Sequence, residues 1–244
     1  MKKRLDITLL ERGLVQTREK AQGLILAGQV LLEDTPVTKS GHLVSEHSAI
    51  RIRGEQSIYV SRGGIKLERA LDLFNIQLQD KVALDIGAST GGFTQVLLLR
   101  GARQVFAVDV GHSQLDWLLR KDKRVVVLEK VNARYLEFSQ IGQKIDIITI
   151  DVSFISLEKI MPALMKFAHD RTDWVTLIKP QFEVGKSKVG KGGIVRSEND
   201  QNDAVLKIQE FCKTLGLGRQ NLIESPITGT KGNKEFLAHW KKTN

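Results

Sequence analysis

The 244 residues include one cysteine, Cys212, so no internal disulfide can form, and a reducing cytoplasm is the expected compartment. No apolar run approaches the roughly 18 residues that a membrane span needs, which excludes a membrane channel. The opening Met-Lys-Lys-Arg-Leu-Asp has basic residues with no apolar core behind them, so no secretory signal is expected. The histidines His42, His47, His112, His169 and His239 show no ligand spacing, and no metal is expected. Internal repeats and low-complexity segments are missing too. With a hydrophobic content of 41%, the composition excludes a disordered tail or a collagen-like fibre and suits one large domain or two smaller ones.

Positive charge is abundant: 37 Lys and Arg against 28 Asp and Glu give +9, which makes nucleic acid the first candidate partner. Its distribution is uneven. Residues 1–60 carry 9 basic and 7 acidic residues. The stretch 179–196 sets Lys179, Lys186, Lys188, Lys191 and Arg196 against Glu183 alone. Solvated lysine faces would give the same runs.

Residues 1–60 are expected to form a small α+β unit. Thr17 caps a helix carrying Ala21, Leu24 and Ile25, Gly28 stops it, and short β-rich runs follow. Ser61-Arg62-Gly63-Gly64 is the expected linker, and residues 65–244 the second domain. Beyond residue 80, β-rich runs at 82–86, 104–109, 125–128, 145–151 and 174–179 alternate with helical stretches. That alternation predicts an α/β fold, a doubly wound and mostly parallel sheet. The last two runs, 221–223 and 236–240, have no helix between them and are expected to pair antiparallel at its edge.

The turn Asp85-Ile86-Gly87-Ala88-Ser89-Thr90-Gly91-Gly92-Phe93-Thr94 follows the first strand of this region. Its small residues let a ligand approach the backbone and the unpaired amides of a helix start. A dinucleotide site would have glycine where Ser89 stands. Asp85 repels a pyrophosphate and suits a cation, and Asp109, at the end of the next strand, can hold a ribose diol. The pattern looks like the S-adenosylmethionine site of class I (Rossmann-like) methyltransferases, a ligand with an ammonium, a sulfonium and a ribose. Open α/β sheets bind ligands beyond their carboxyl strand ends. Two further charged residues stand at such ends, Asp151 and Lys179, and core packing does not explain a lysine there.

The α/β part resembles the FtsJ-like ribose methyltransferases, and the whole chain is similar to the TlyA family, often labelled hemolysin A. The resemblance rests on Ser61 to Leu67, Asp85 to Gly92, Val108 to Gly111, Asn132-Ala133-Arg134, Asp151 to Leu157, Lys179-Pro180-Gln181-Phe182-Glu183 and Gly229 to Leu237. The N-terminal unit is similar to a small RNA-binding domain found in a ribosomal protein and in pseudouridine synthases. Its match is Arg4-Leu5-Asp6, Arg12-Gly13-Leu14, Thr17-Arg18, Ala21, Ile25, Gly28 and Val30.

The resemblance implies S-adenosylmethionine-dependent methylation of a ribose 2′-hydroxyl in ribosomal RNA, with ribosomal RNA or ribosomal subunits as partner. It also implies a tetrad of Lys66, Asp151, Lys179 and Glu235, in which Lys179 is a base or an anion stabiliser. Cofactor contacts fall on Asp85, Gly87, Ser89, Gly91, Gly92, Phe93 and Asp109. Asn132 fits an adenine contact or a turn-forming role equally well. RNA contacts fall on Arg4, Arg12, Arg18, Lys20 and Arg62. The loop 181–200 either closes over RNA or is a flexible surface loop. Some positions depart from the family pattern: Leu118 for a lysine, Ser197 for an acid, Lys130-Val131 before Asn132, and Glu33-Asp34 for an Asn-Gly turn. An RNA-binding assembly factor with a vestigial cofactor pocket and a hemolysin are the competing readings.

Overall fold

A computed structural model describes residues 2–15, 17–53, 58–229 and 231–243. The chain divides into two compact units, Met1–Ile58 and Tyr59–Asn244.

The first unit runs β1 (Lys2–Arg4), α1 (Leu5–Glu11), α2 (Arg18–Leu26), β2 (Val30–Leu32), β3 (Thr35–Pro36), β4 (Leu43–Ser45) and β5 (Ile50–Ile52). Leu5 and Leu9 from α1 meet Ala21 and Ile25 from α2, with Val30 and Val44, in one buried cluster. Thr17 accepts a hydrogen bond from the Lys20 amide (3.2 Å), which satisfies one of the open donors at the start of α2. Strand β2 pairs antiparallel with both β3 and β5. Its hairpin turn holds Glu33 and Asp34 at φ +48° and +64°, the conformation that Asn-Gly adopts more cheaply. Side-chain contacts offset that cost: Glu33 accepts from the Ala49 amide at 2.9 Å, and Asp34 pairs with Arg51 at 2.6 Å. Strand β1 has three exposed residues and no alternation, so only its pairing with β4 reveals it.

The second unit opens with α3 (Gly63–Phe74) and continues β6 (Val82–Ile86), α4 (Gly92–Leu99), β7 (Gln104–Asp109), α5 (Trp117–Lys121) and β8 (Val125–Glu129). Then come α6 (Phe138–Ile141), β9 (Ile145–Ile150), α7 (Met161–Leu164), β10 (Ala168–Ile178), α8 (Pro180–Glu183), α9 (Glu198–Thr214), β11 (Leu217–Glu224) and β12 (Phe236–Lys242). Segment 61–64 does not form the expected linker. Gly63 and Gly64 open α3, and a methyl group on Gly64 would collide with the ring of buried Tyr59. The glycine pair therefore serves close packing within the second unit.

Seven strands form one sheet in the order β11-β12-β10-β9-β6-β7-β8. Strands β6 to β10 are parallel, while β12 runs antiparallel to both β10 and β11. The sheet is therefore mostly parallel with an antiparallel edge, as expected. Its two faces carry separate cores. One contains Leu84, Ile148, Trp174 and Trp240, the other Leu67, Leu71, Leu97 and Val175. Ser197, at the position where the family pattern has an acid, accepts from the Asp200 amide (3.3 Å) and caps α9. After β6 the chain steps outward to β7 and β8, then returns to place β9 on the other side of β6. That reversal opens a crevice at the carboxyl ends of β6 and β9, the usual binding position in open α/β sheets.

Candidate active site

Strand β6 ends in the glycine turn, and Gly87 takes φ +82°. A methyl group on Gly87 would collide with the Asp151 carbonyl, so the turn lies directly against the exit of β9. Ser89 adopts φ +47° where the dinucleotide pattern has glycine. A non-glycine residue in that region costs about 1 kcal/mol. A hydrogen bond fixes it: the Ser89 amide donates to Asp109 Oδ2 at 2.8 Å, and the Gly111 amide donates to Asp109 Oδ1 at 2.6 Å. Backbone amides thus hold the Asp109 carboxylate at the rim of the sheet, and each oxygen keeps a lone pair for another donor.

Beyond the turn lies a cavity of about 580 Å³. From the turn it is lined by Gly87, Ala88, Ser89, Thr90, Gly92 and Phe93, and from the start of α3 by Arg62 and Lys66. The β9 exit contributes Asp151, Ser153 and Phe154, the β10 exit Lys179, Gln181 and Phe182, and the approach to β12 Lys231, Asn233 and Glu235. The four tetrad residues come together here from four separate segments.

They form two short ion pairs. Lys66 Nζ lies 2.6 Å from Glu235 Oε2, and the two side chains are only 10% and 4% exposed. Lys179 Nζ lies 2.6 Å from Asp151 Oδ1 and donates to Ser153 Oγ at 2.9 Å. Lys66 lies on the same helix face as buried Leu67, Ala70 and Leu71, so helical periodicity turns it inward with the core. Pro180 fixes the turn that follows Lys179 and starts α8.

Two side chains behind the cavity secure the β9 and β10 exits. Buried Glu183 accepts from Ser156 Oγ at 2.6 Å and from the Leu157 amide at 2.9 Å, tying the two exit segments together. Burial pushes its carboxyl above the ordinary range. The ring of Phe154 leans on Phe182, with centroids 5.1 Å apart, yet Phe154 is 90% exposed. It presents a bare aromatic face at the cavity mouth.

Asp85 does not line the cavity. It is fully buried beneath the turn, where Thr94 and Thr149 donate to its carboxylate at 2.7 and 2.9 Å. Burial outweighs those donors and pushes its carboxyl up to about 6. Gly91, Asp109 and Asn132 also stand outside the lining. Gly91 (φ +97°) packs against Leu115 and Leu119. The Asn132 side chain accepts from the Arg134 amide at 3.1 Å, a turn-forming role.

In the first unit, Asp6 is fully buried and gathers three of its neighbours. Arg4 donates to both of its oxygens at 3.0 Å, Arg18 to Oδ2 at 3.0 Å and Gln22 to Oδ2 at 3.1 Å. These bonds, Arg4 first, hold the Asp6 carboxyl well below the usual carboxylate range. Arg4 and Arg18 remain half exposed, with donors left over. Arg12 instead donates to the carbonyls of Ser45, Glu46 and Ser48, a structural use that its sequence position does not reveal. Lys20 is exposed on α2.

Sequence reading passed over Ser153, Phe154, Gln181, Lys231 and Asn233 as cavity residues. Four of them lie within three positions of Asp151, Lys179 or Glu235, so reading past each strand end would have found them.

A doubly wound sheet with an antiparallel strand inserted at its edge, and paired charges at its switch point, defines a class I methyltransferase domain. The comparisons give the same class. The FtsJ-like methyltransferase model matches residues 59–242, and the S4 domain model matches residues 3–50. The chain belongs to the FtsJ-like methyltransferases that carry an N-terminal S4 domain, the group that includes TlyA and hemolysin A. It is 44% identical to the 16S/23S rRNA (cytidine-2′-O)-methyltransferase TlyA of Mycobacterium tuberculosis, covering 98% of this chain and 90% of that protein. To Hemolysin A of Brachyspira hyodysenteriae it is 45% identical, over 97% of this chain and 99% of that one. A solved structure from Streptococcus thermophilus superposes with a TM-score of 0.79 at 43% identity, covering 100% of this chain and 89% of that one. The magnesium protoporphyrin IX methyltransferase of Synechocystis shares the fold alone, with a TM-score of 0.53 at 13% identity over 78% and 90% of the two chains.

Proposed function

We propose that this protein transfers a methyl group from S-adenosylmethionine to a ribose 2′-hydroxyl of ribosomal RNA, with cytidine as the target nucleotide. The observation that carries the reading is the two short lysine–carboxylate contacts facing one cavity at the carboxyl ends of the parallel strands. The residues there suit the cofactor. The turn offers small side chains and backbone, and beside it, outside the cavity lining, the outer lone pairs of Asp109 suit a ribose diol. When bound, S-adenosylmethionine supplies a methyl group already activated on a positively charged sulfur.

The protein's task is then to align a hydroxyl and manage its proton. Lys179 Nζ meets the hydroxyl, as base or as stabiliser of the developing oxyanion, and Asp151 orients it. Lys66 and Glu235 line the same cavity and contribute to its field. Buried Asp85 lies behind the turn and acts at one remove, through the packing of Thr94 and Thr149. Phe154 offers its exposed face to a planar base. In the first unit, Arg4, Arg18 and Lys20 take RNA phosphates, and Arg62 does so at the cavity mouth. Such a substrate places the activity in the cytoplasm. Among the described residues, no helix is long and apolar enough to cross a membrane.

The test is transfer of labelled methyl to ribosomal subunits and to naked ribosomal RNA lacking the modification, followed by nucleoside analysis. The wild type yields 2′-O-methylcytidine, and Lys179→Ala lowers the rate at least about 100-fold. Undiminished transfer by Lys179→Ala would overturn the catalytic assignment, and no transfer by the wild type would overturn the function.

A further inference from the structure

A lysine side chain has four flexible carbons, so a single ion pair leaves its nitrogen free to pivot about the partner carboxylate. Lys179 has a second anchor. Its Nζ lies 2.6 Å from Asp151 Oδ1 and donates to Ser153 Oγ at 2.9 Å. Both anchors come from the exit of β9, two residues apart, while Lys179 comes from the exit of β10. We propose that Ser153 is a positioning residue of this site, which with Asp151 directs the remaining position of Lys179 Nζ into the cavity.

Hydrogen-bond counting supports the assignment in either protonation state. A charged ammonium has three N–H donors, of which Asp151 and Ser153 take two and leave one for a substrate oxygen. A neutral amine has two N–H donors and one lone pair. With both donors taken, the lone pair is left facing the substrate, which is the arrangement a base needs. Without Ser153, the nitrogen can turn its lone pair or its third donor away from the cavity and keep its bond to Asp151.

The surroundings favour a fixed Ser153. Phe154, the next residue, takes φ +64°, a strained conformation that persists only where neighbours enforce it. Those neighbours are Phe182 against the Phe154 ring and Glu183 on Ser156 and Leu157. The segment from Asp151 to Leu157 is thereby fastened to the segment that carries Lys179. The Ser153 hydroxyl has no capping duty, because Ser156 caps the helical turn that follows.

The inference rests on the proposed methyl transfer, and the experiment separates the two. Initial rates on ribosomal RNA are measured for the wild type, Ser153→Ala, Ser153→Thr and Lys179→Ala. Cofactor affinity is measured by calorimetry with S-adenosylmethionine. Ser153→Ala lowers kcat about tenfold, the effect of one hydrogen bond to a charged group, and leaves KM for RNA and cofactor affinity unchanged. Ser153→Thr keeps the hydroxyl and restores most of the rate. Wild-type kcat in Ser153→Ala overturns the inference. So does a loss expressed only in KM or in cofactor affinity, or one that threonine does not rescue. If Lys179→Ala is inactive while Ser153→Ala keeps the wild-type kcat, only this inference falls. If the wild type transfers nothing, the function falls and takes the inference with it.

Discussion

Replacing Glu235 by leucine leaves the Lys66 ammonium at 10% exposure with its ion-pair partner gone. Breaking a buried pair by removing one partner costs about 3–5 kcal/mol, because the surviving charge stays desolvated. At roughly 2–4 °C per kcal/mol for a domain of this size, the melting temperature falls by about 10 °C. Lys66→Met strands the Glu235 carboxylate at 4% exposure and carries a similar cost. The double variant has no buried charge left at this place. Swapping a whole buried pair for apolar side chains of similar volume is often neutral, so the double variant should melt within about 2 kcal/mol of the wild type. Methyl transfer should be lost in all three variants. Thermal unfolding followed by circular dichroism, together with initial rates on ribosomal RNA, completes the cycle. Additive destabilisation, the double as poor as the two singles combined, would refute the view that the pair acts as a buried unit. A stable double variant that still transfers methyl groups would refute its place in the site.

Asp85 and the first unit offer separate checks. The Asp85 carboxyl is raised to about 6 from a reference of 3.8, so its contribution to stability is full below about 3.8 and is lost as pH rises through about 6. Asp85→Asn removes that slope. Between pH 4 and pH 7 its stability relative to the wild type should improve by roughly 2 kcal/mol, read from unfolding curves, and a pH-independent difference would contradict the burial argument. Arg18→Ala should lower the slope of log affinity against log salt for ribosomal RNA by about one, without unfolding the first unit. Arg12→Ala should instead destabilise that unit by about 1 kcal/mol, because the exposed carbonyls of Glu46 and Ser48 exchange the guanidinium for water.

The amino-acid sequence by itself determined the class of fold and marked Asp151 and Lys179 among the charged residues of the cavity. Alternating apolar runs specify the parallel sheet because strand and helix periods differ. A lysine or aspartate that closes such a run has no packing reason to be there, so Asp151 and Lys179 were legible. The glycine turn was legible because small residues mark a close backbone approach. Tertiary structure alone decided how those charges act. Lys66 and Glu235 lie 169 positions apart, and only the insertion of β12 beside β10 brings them to 2.6 Å. Asp85, which matched a ligand-facing acid in type and place, points instead into the core beneath the turn. Asp109 occupies the rim because two backbone amides hold it there. Local pattern sets which element a residue joins and which face it takes. Which charges meet, and whether water reaches them, follows from long-range packing that no local pattern records.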